Sequence, residues 1–437
     1  TIMGKGARTA DNGNFENKCA THGMPLGEAG ASLEKTVINL GGDPAKPFAI
    51  FEETKKLYAT RTEELKKMSA EKKAKQAEWE KANTELAKKF KKFFSKDTPE
   101  FDFSSIVQKE NQATRAASST VLAAFAKDVE NMIVSSADLS NSDKTDGFLK
   151  NSKSFQRGDF SGAFLQAGVC ELTMATLMNG MALHGGVIPV CGTFFVFSDY
   201  MKPAVRLAAL MQLPVKYVWT HDAFRVGEDG PTHQPVEHEV QIRLLEQLKN
   251  HHGQNSMLVL RPADGQETTV AWKLALENTS TPTALILSRQ NINDLPAASG
   301  NRYNEAMQAA KGAYVVKKAN KPDVILLANG SEVSTLVEAA KLLEERKKVN
   351  VQIVSAPSEG LFFNQDTSYR KQVVPENVPV FGLTAGLPST LYRFVGNNGV
   401  VFGLDHFGYS APYKVLDEKF GFTAENVYNQ VEQLLGK

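Results

Sequence analysis

Between Thr114 and Arg289, helix-like stretches alternate with short β-branched runs, and nothing else in the chain restricts its fold as much. TRAASSTVLAAFAKDVENM and VCELTMATLMNGMALHG carry helical periodicity, while MIVSS, VIPVCGTFFVF, PVKYVWT, SMLVLRP and TALILS are apolar runs of strand length. Strands separated by helices pair in parallel, because each return crosses over a helix, and both faces of such a sheet are then covered. A second alternation follows: GAYVVKKA, DVILLANG, SEVSTLVEAAKLLEERKK, VNVQIVSAP, NVPVFGLTA and the closing AENVYNQVEQLLGK. The reading is two α/β domains, 105–300 and a smaller one at 301–437, joined through the polar DLPAASGNRYNEAMQ.

Residues 1–50 are Gly-rich and loop-like and read as the end of a further domain, opening on the strand-like run TIMGKGA. Residues 51–104 read as a helical linker. The stretch 52–94 contains neither Gly nor Pro, and Leu65, Met68, Trp79, Leu86, Phe90 and Phe93 keep helical spacing amid Lys and Glu, which predicts a long amphipathic helix or a pair of them. Fifty Lys and Arg against 49 Asp and Glu leave a net charge of +1, which recommends neither nucleic acid nor an anionic membrane as partner. No apolar run approaches bilayer length and no leader peptide is seen, so a cytoplasmic protein is expected. Cys19, Cys170 and Cys191 form no C-x-x-C pair and read as reduced thiols rather than a disulfide framework or a zinc site.

The strand-like PVKYVWT ends directly in His221, and the segment that follows, THDAFRVGEDGPTHQP, cannot be a regular helix. Ligands of parallel sheets bind at the carboxyl ends of strands, so this loop is expected at a functional edge. Gly227 and Gly230 permit backbone angles closed to other residues and Pro231 fixes its own, which suits polar side chains that must converge. His221, Asp222 and His233 could form part of a zinc site, but no fourth ligand is evident and no metal ligand is assigned.

Together with GGVIPVCGTFFVFSDYMKPAVRLAAL, RPADGQET and LSRQN, this loop resembles transketolase, and the resemblance covers nearly the whole chain. It implies an α/β fold in which a thiamine diphosphate-binding pyrimidine domain with a parallel sheet precedes a smaller C-terminal α/β domain. It implies a transferase of the pentose phosphate pathway that moves a two-carbon ketol unit between sugar phosphates, as a homodimer, with thiamine diphosphate and Mg2+ or Ca2+ as cofactors. In AGVCELTM the matching catalytic carboxylate is Glu171, which shares a proton with N1′ of the cofactor's pyrimidine. Phe194, Phe197 and Tyr200 match the rings that stack on the pyrimidine, and Asp138 matches a residue beside the thiamine. Arg115, Ser142, His221 and Arg289 match the phosphate ligands, Asp229 and His233 the residues at the sugar hydroxyls and reacting oxygens, and His22 a histidine near the diphosphate.

Two departures stand out. The family usually has Arg before and His after the catalytic Glu, where this chain has Cys170 and Leu172; that puts the interface packing beside Glu171 in question. The family also holds its metal with a Gly-Asp-Gly motif, and none occurs among these 437 residues. The expectation is therefore a chain lacking most of the diphosphate-binding domain, inactive and cofactor-free when alone, with residues 1–50 poorly supported and the loop from His221 to His233 partly open. The alternatives are a non-catalytic transketolase-like module, a deoxyxylulose phosphate synthase or a 2-oxo-acid dehydrogenase β chain.

Overall fold

The computed structural model describes residues 2–95 and 97–436. They fall into two units, one ending at Lys88 and one starting at Lys89.

In the first unit the opening residues form turns rather than the expected strand, with Gly4 and Gly6 at φ 58° and 82°, a region in which a Cβ would be strained. Thr1 lies outside the described residues. Residues 6–39 are nonetheless tied together. Arg8 bridges both Asn14 and Ser32, the Gly6 amide donates to Glu16 at 2.7 Å, and Ser32 Oγ caps helix α1 (Leu33–Asn39) by accepting from the Lys35 amide. Helix α2 (Glu52–Ala82) runs 31 residues, as the absence of Gly and Pro predicts, and α3 (Thr84–Phe94) follows. The expected amphipathic burial is not found in α2. None of its residues is buried, and Leu65, Met68 and Trp79 stay 40–48% exposed. Its turns carry i,i+3 ion pairs such as Arg61–Glu64 and Lys66–Glu63, which support a solvated helix weakly.

The second unit contains two sheets. The first holds six parallel strands: β1 (Met132–Ser136), β2 (Phe164–Gln166), β3 (Ile188–Phe194), β4 (Lys216–Thr220), β5 (Leu258–Leu260) and β6 (Thr283–Leu287), in the order β2-β1-β3-β4-β6-β5. Helices α4 (Thr114–Asp128), α5 (Ser140–Asp143), α6 (Asp146–Leu149), α7 (Glu171–His184), α8 (Ser198–Leu210), α9 (His238–Gln247) and α10 (Gly265–Glu277) connect them. Both faces are packed. Phe125, Val218 and Trp272 lie in one cluster, Met178, Tyr217 and Trp219 in the other, so alternate residues of KYVWT enter opposite cores.

The second sheet has β7 (Tyr314–Lys317), β8 (Val324–Ala328), β9 (Val351–Ser355), β10 (Val380–Leu383) and β11 (Gly399–Phe402) in the order β11-β10-β8-β9-β7; only β7 runs antiparallel to its neighbour. The segment between the sheets is held by Arg302, which pairs with Asp264 at 2.6 Å and Glu267 at 3.2 Å at the start of α10. Among the described residues no helix is long and apolar enough to cross a membrane.

Candidate active site

In the first sheet the strand order reverses between β1 and β3, so the crevice that parallel sheets use for ligands opens at the carboxyl ends of those strands. Every site residue expected from the sequence except Arg115 and His22 follows a strand end on this edge. Asp138 and Ser142 follow β1, Glu171 follows β2, Phe194, Phe197 and Tyr200 close β3, His221, Asp229 and His233 follow β4, and Arg289 follows β6. Arg115 joins them from the first turn of α4. The Thr114 amide and the Ser288 amide each donate to the other residue's hydroxyl, at 3.0 and 2.7 Å, which pins the start of α4 to the end of β6.

His221 is the centre of this group. It is 2% exposed and adopts φ 62°, a left-handed backbone that costs a non-glycine residue about 1–2 kcal/mol. Arg115 Nη1 lies 3.2 Å from its Nε2 and Thr220 Oγ1 lies 2.9 Å from its Nδ1. An arginine can only donate, so Nε2 accepts and the proton resides on Nδ1, which donates to Thr220. Burial, then the charges of Arg115 and Arg289, hold the imidazole pKa down to about 2. His221 is therefore neutral at physiological pH. Its folded pKa lies below the ordinary histidine value, so its contribution to stability is present above about pH 6.5 and is lost as pH falls toward 2. We expect its ring 15N resonances to show no protonation step between pH 5 and 8; a midpoint near 6.5 would contradict the buried geometry.

The surroundings of His221 favour an anion. Arg115 also donates to the Ser142 carbonyl at 2.7 Å and lies 3.5 Å from its hydroxyl, and both burial and the Arg289 charge disfavour its protonated form. The nearest carboxylate to Arg289 is Glu228, 4.0 Å away and largely exposed. Behind Arg115 stands a residue that sequence reasoning missed. Asp143 is 1% exposed, accepts from Ser136 Oγ at 2.6 Å and from the Thr145 amide and hydroxyl, and is pushed up to about 6 chiefly by burial. The polar run SSADLSNSD after an apolar strand was the available signal.

Aromatic rings wall the other side. The Phe194 ring lies 3.6 Å from His221 and nearly parallel to Phe197, with centroids 5.8 Å apart. His233 stands edge-on to Phe197 at 5.4 Å, and its Nδ1 is 2.9 Å from Thr232 Oγ1. Tyr200 lies 6.1 Å from Phe197 and is 63% exposed. Glu171 opens α7, where the helix dipole favours a negative charge, and is 9% exposed. Its carboxylate has no donor among the described residues. Cys170 turns its thiol onto the Ala167 carbonyl at 2.7 Å, and Leu172 is 45% exposed.

The loop that carries His221 divides its labour in a way the sequence did not reveal. Asp222 and Arg225 turn away from the site into a buried charge network with the second sheet's domain: Arg261 pairs with Asp222 at 2.7 Å and Glu332 at 2.6 Å, and Arg225 pairs with Glu332 and with Asp417 at 2.7 Å. Glu228 and Asp229 stay exposed at the tip, and Gly227 and Gly230 take φ 87° and 76° where the loop meets Ala411 and Ser410. Gln234 fastens that turn by donating to the Gly227 and Tyr409 carbonyls, so only the tip of the loop is open. Asp138 is exposed at φ 62° and caps no helix, since Leu139 precedes α5. His22 belongs to the first unit, where it is exposed after the short turn Cys19–Thr21. Among the described residues one cluster has metal-ligand spacing, Asp199, Glu237 and His238, but Lys202 already pairs with Asp199 at 2.6 Å.

Residues 110–294 match the transketolase pyrimidine binding domain, 312–423 the transketolase-like C-terminal domain and 1–99 the transketolase thiamine diphosphate binding domain. The chain belongs to the transketolase family. It is 41% identical over 433 residues to the transketolase of Halalkalibacterium halodurans, a match that takes in 97% of this chain and 62% of that protein. The chain thus spans about 62% of the length of the curated relatives it matches. Among solved structures, the transketolase of Leishmania mexicana superposes with a TM-score of 0.80 at 32% identity, covering 94% of this chain and 59% of that one. A transketolase of Pichia stipitis in complex with sedoheptulose 7-phosphate gives 0.80 at 32% identity, covering 92% and 58%. The match to the thiamine diphosphate binding domain runs through the stretch read from sequence as a linker. The expectation of a chain lacking most of that domain and inactive for that reason finds no support in these matches.

Proposed function

We propose that this protein is a thiamine diphosphate-dependent transferase that moves a two-carbon ketol unit from a ketose phosphate to an aldose phosphate, the transketolase step of the pentose phosphate pathway. The observation that carries the reading is the pairing of Arg115 with a neutral, buried His221 under the field of Arg289, an electropositive corner beside a wall of aromatic rings. A sugar phosphate supplies the anion that this corner lacks. The solved relative that holds sedoheptulose 7-phosphate supports that substrate class.

The residues present fit the pyrimidine end of thiamine diphosphate. Glu171 is a carboxylate 9% exposed at the start of α7 with no donor among the described residues, so a ligand's hydrogen could be shared with it, and Phe194, Phe197 and Tyr200 offer ring faces. When bound, the cofactor supplies a nucleophilic carbon able to cleave the bond beside a ketose carbonyl. Glu171 would hold a proton shared with the pyrimidine N1′ and so would set the basicity of that ring. In this reading Asp138 would stand beside the thiamine, His233 and Asp229 would orient the sugar hydroxyls, and Arg115, Ser142, His221 and Arg289 would hold the substrate phosphate, while the role that the resemblance gives His22 belongs to the first unit taken by itself. The divalent ion, Mg2+ or Ca2+, is assigned no residues of this chain, since no Gly-Asp-Gly run occurs in it.

We further infer a homodimer. Leu172 on α7, Tyr200, Leu207 and Leu210 on α8 and Met211 just beyond it are 45–63% exposed although apolar, beside the helix that starts with Glu171. A stable monomer in sedimentation at micromolar concentration would count against it. The domain division follows the same reading, with 105–300 the pyrimidine-binding domain, 301–437 the C-terminal domain and 51–104 a helical connection from 1–50.

Arg289→Ala is expected to raise KM for phosphorylated substrates about 10- to 150-fold with little change in kcat, the loss of about 1.5–3 kcal/mol from one charge-assisted hydrogen bond. Steady-state kinetics with and without the substrate phosphate tests it. An equal loss for both substrates would remove Arg289 from the phosphate site. Pyruvate consumption would favour the synthase alternative, and failure to bind thiamine diphosphate at all would favour the non-catalytic module.

A further inference from the structure

At the opposite edge of the first sheet, where its strands begin, a cavity of about 420 Å3 opens among the end of α7, the starts of β3 and β4 and the residues that close α3. Phe93, Phe94, Leu183, Ile188 and Leu213 give it most of its apolar surface, and Asn131, Gln212, Asn278 and Thr279 also line it. Lys216, the first residue of β4, lines the same cavity and is 2% exposed. A buried lysine is ordinarily paired with a carboxylate, because an isolated ammonium is costly to remove from water. Here the only acceptor for Lys216 Nζ among the described residues is the Asn278 carbonyl, and no carboxylate pairs with it. Among the described residues the other titratable groups on the cavity wall are Asp97 and His184. Burial alone moves the lysine pKa down to about 7. The remaining residues of this strand are apolar or hydroxylic, so packing by itself gives no reason for a lysine at its start.

We propose that this cavity is a second ligand site, distinct from the carboxyl-edge site, for a small monocarboxylate with an apolar body, whose carboxylate pairs with Lys216 while its hydrocarbon lies against Phe94, Ile188 and Leu213. The missing counter-ion and the apolar part of the walls select the same ligand, since a purely polar anion would leave the apolar surface wet and a neutral apolar molecule would leave the lysine with the Asn278 carbonyl alone. The lysine stands one strand away from His221, about 16 Å along β4 at the usual rise per residue. The site is independent of ketol transfer, so its test does not depend on activity.

The probe is sodium octanoate, titrated calorimetrically into the full protein at pH 8 in two buffers of different ionisation enthalpy. Burial lowers the pKa of the free lysine to about 7, so it is mostly neutral at that pH and binding is expected to take up a proton, at most one per octanoate. Octanol is expected to bind at least tenfold more weakly. Lys216→Met is expected to abolish the proton uptake and weaken octanoate at least tenfold, while its melting temperature stays level or rises because an uncompensated buried amine has been removed. The wild-type proton count stands even if the variant misfolds. Saturable octanoate binding without proton uptake, no binding at millimolar octanoate, or equal binding by a folded Lys216→Met protein would overturn the proposal.

Discussion

Glu171→Gln is expected to lower kcat by about 10²- to 10⁴-fold while leaving KM for the sugar phosphates within a few fold. The substitution is isosteric and keeps the start of α7 intact, so packing is preserved. What changes is the proton. A carboxylate at this position, 9% exposed and without a donor among the described residues, can share a hydrogen with a ring nitrogen; an amide can occupy the same space but cannot take up or release that proton. Because the phosphate corner lies on other strands, its affinity should be unaffected. Comparable kcat for the two proteins would show that Glu171 is not the group that activates the cofactor. A matched rise in KM would point to a general disturbance of the pocket.

Arg261→Met is expected to cause the largest loss of stability, about 3–5 kcal/mol, read as a shift of the urea unfolding midpoint of the second unit. Arg261 is 1% exposed and serves Asp222 and Glu332, with Glu239 3.4 Å from its Nη1 and Asn329 accepting at 2.7 Å. Methionine matches much of its volume, so the loss reports carboxylates left buried without their partner rather than a cavity. Arg225 still holds Glu332, which makes Asp222 the group most exposed to the change. Asp222 follows His221 directly, so the same variant should also loosen the phosphate corner and raise KM. A midpoint shift equivalent to less than about 1 kcal/mol would mean that water reaches these carboxylates.

These two residues illustrate what the sequence could and could not disclose. Glu171 was readable through the resemblance of AGVCELTM to the family's motif, its place at the head of an apolar stretch adding weight, and α7 begins at that residue. The long strands were readable from local pattern: KYVWT, TALIL and VILLA are continuous apolar runs of buried parallel strands. β2 and β11 were missed because three or four residues, FLQ and GVVF, carry too little pattern and are strands only by pairing with β1 and β10. The run TIMGKGA has β-branched and apolar residues but two glycines at positive φ make it a turn. Within THDAFRVGEDGPTHQP nothing local separates His221 from Asp222 and Arg225. Their partners, Arg261, Glu332 and Asp417, lie 39 to 192 residues further along the chain, so only the tertiary fold assigns one to the site and two to the domain contact. Asp143 escaped notice because its burial depends on the packing of α5 against β3.

The central claim is that the carboxyl edge of the first sheet exchanges two-carbon units between sugar phosphates with thiamine diphosphate. The direct measurement incubates the protein with thiamine diphosphate, Mg2+, sedoheptulose 7-phosphate and an aldose phosphate acceptor, and follows the products by mass spectrometry. The account predicts a donor shortened by two carbons and an acceptor lengthened by two, in equal amounts, dependent on the cofactor and strongly reduced in Glu171→Gln. No exchange at saturating cofactor, or exchange that Glu171→Gln leaves unchanged, would contradict it.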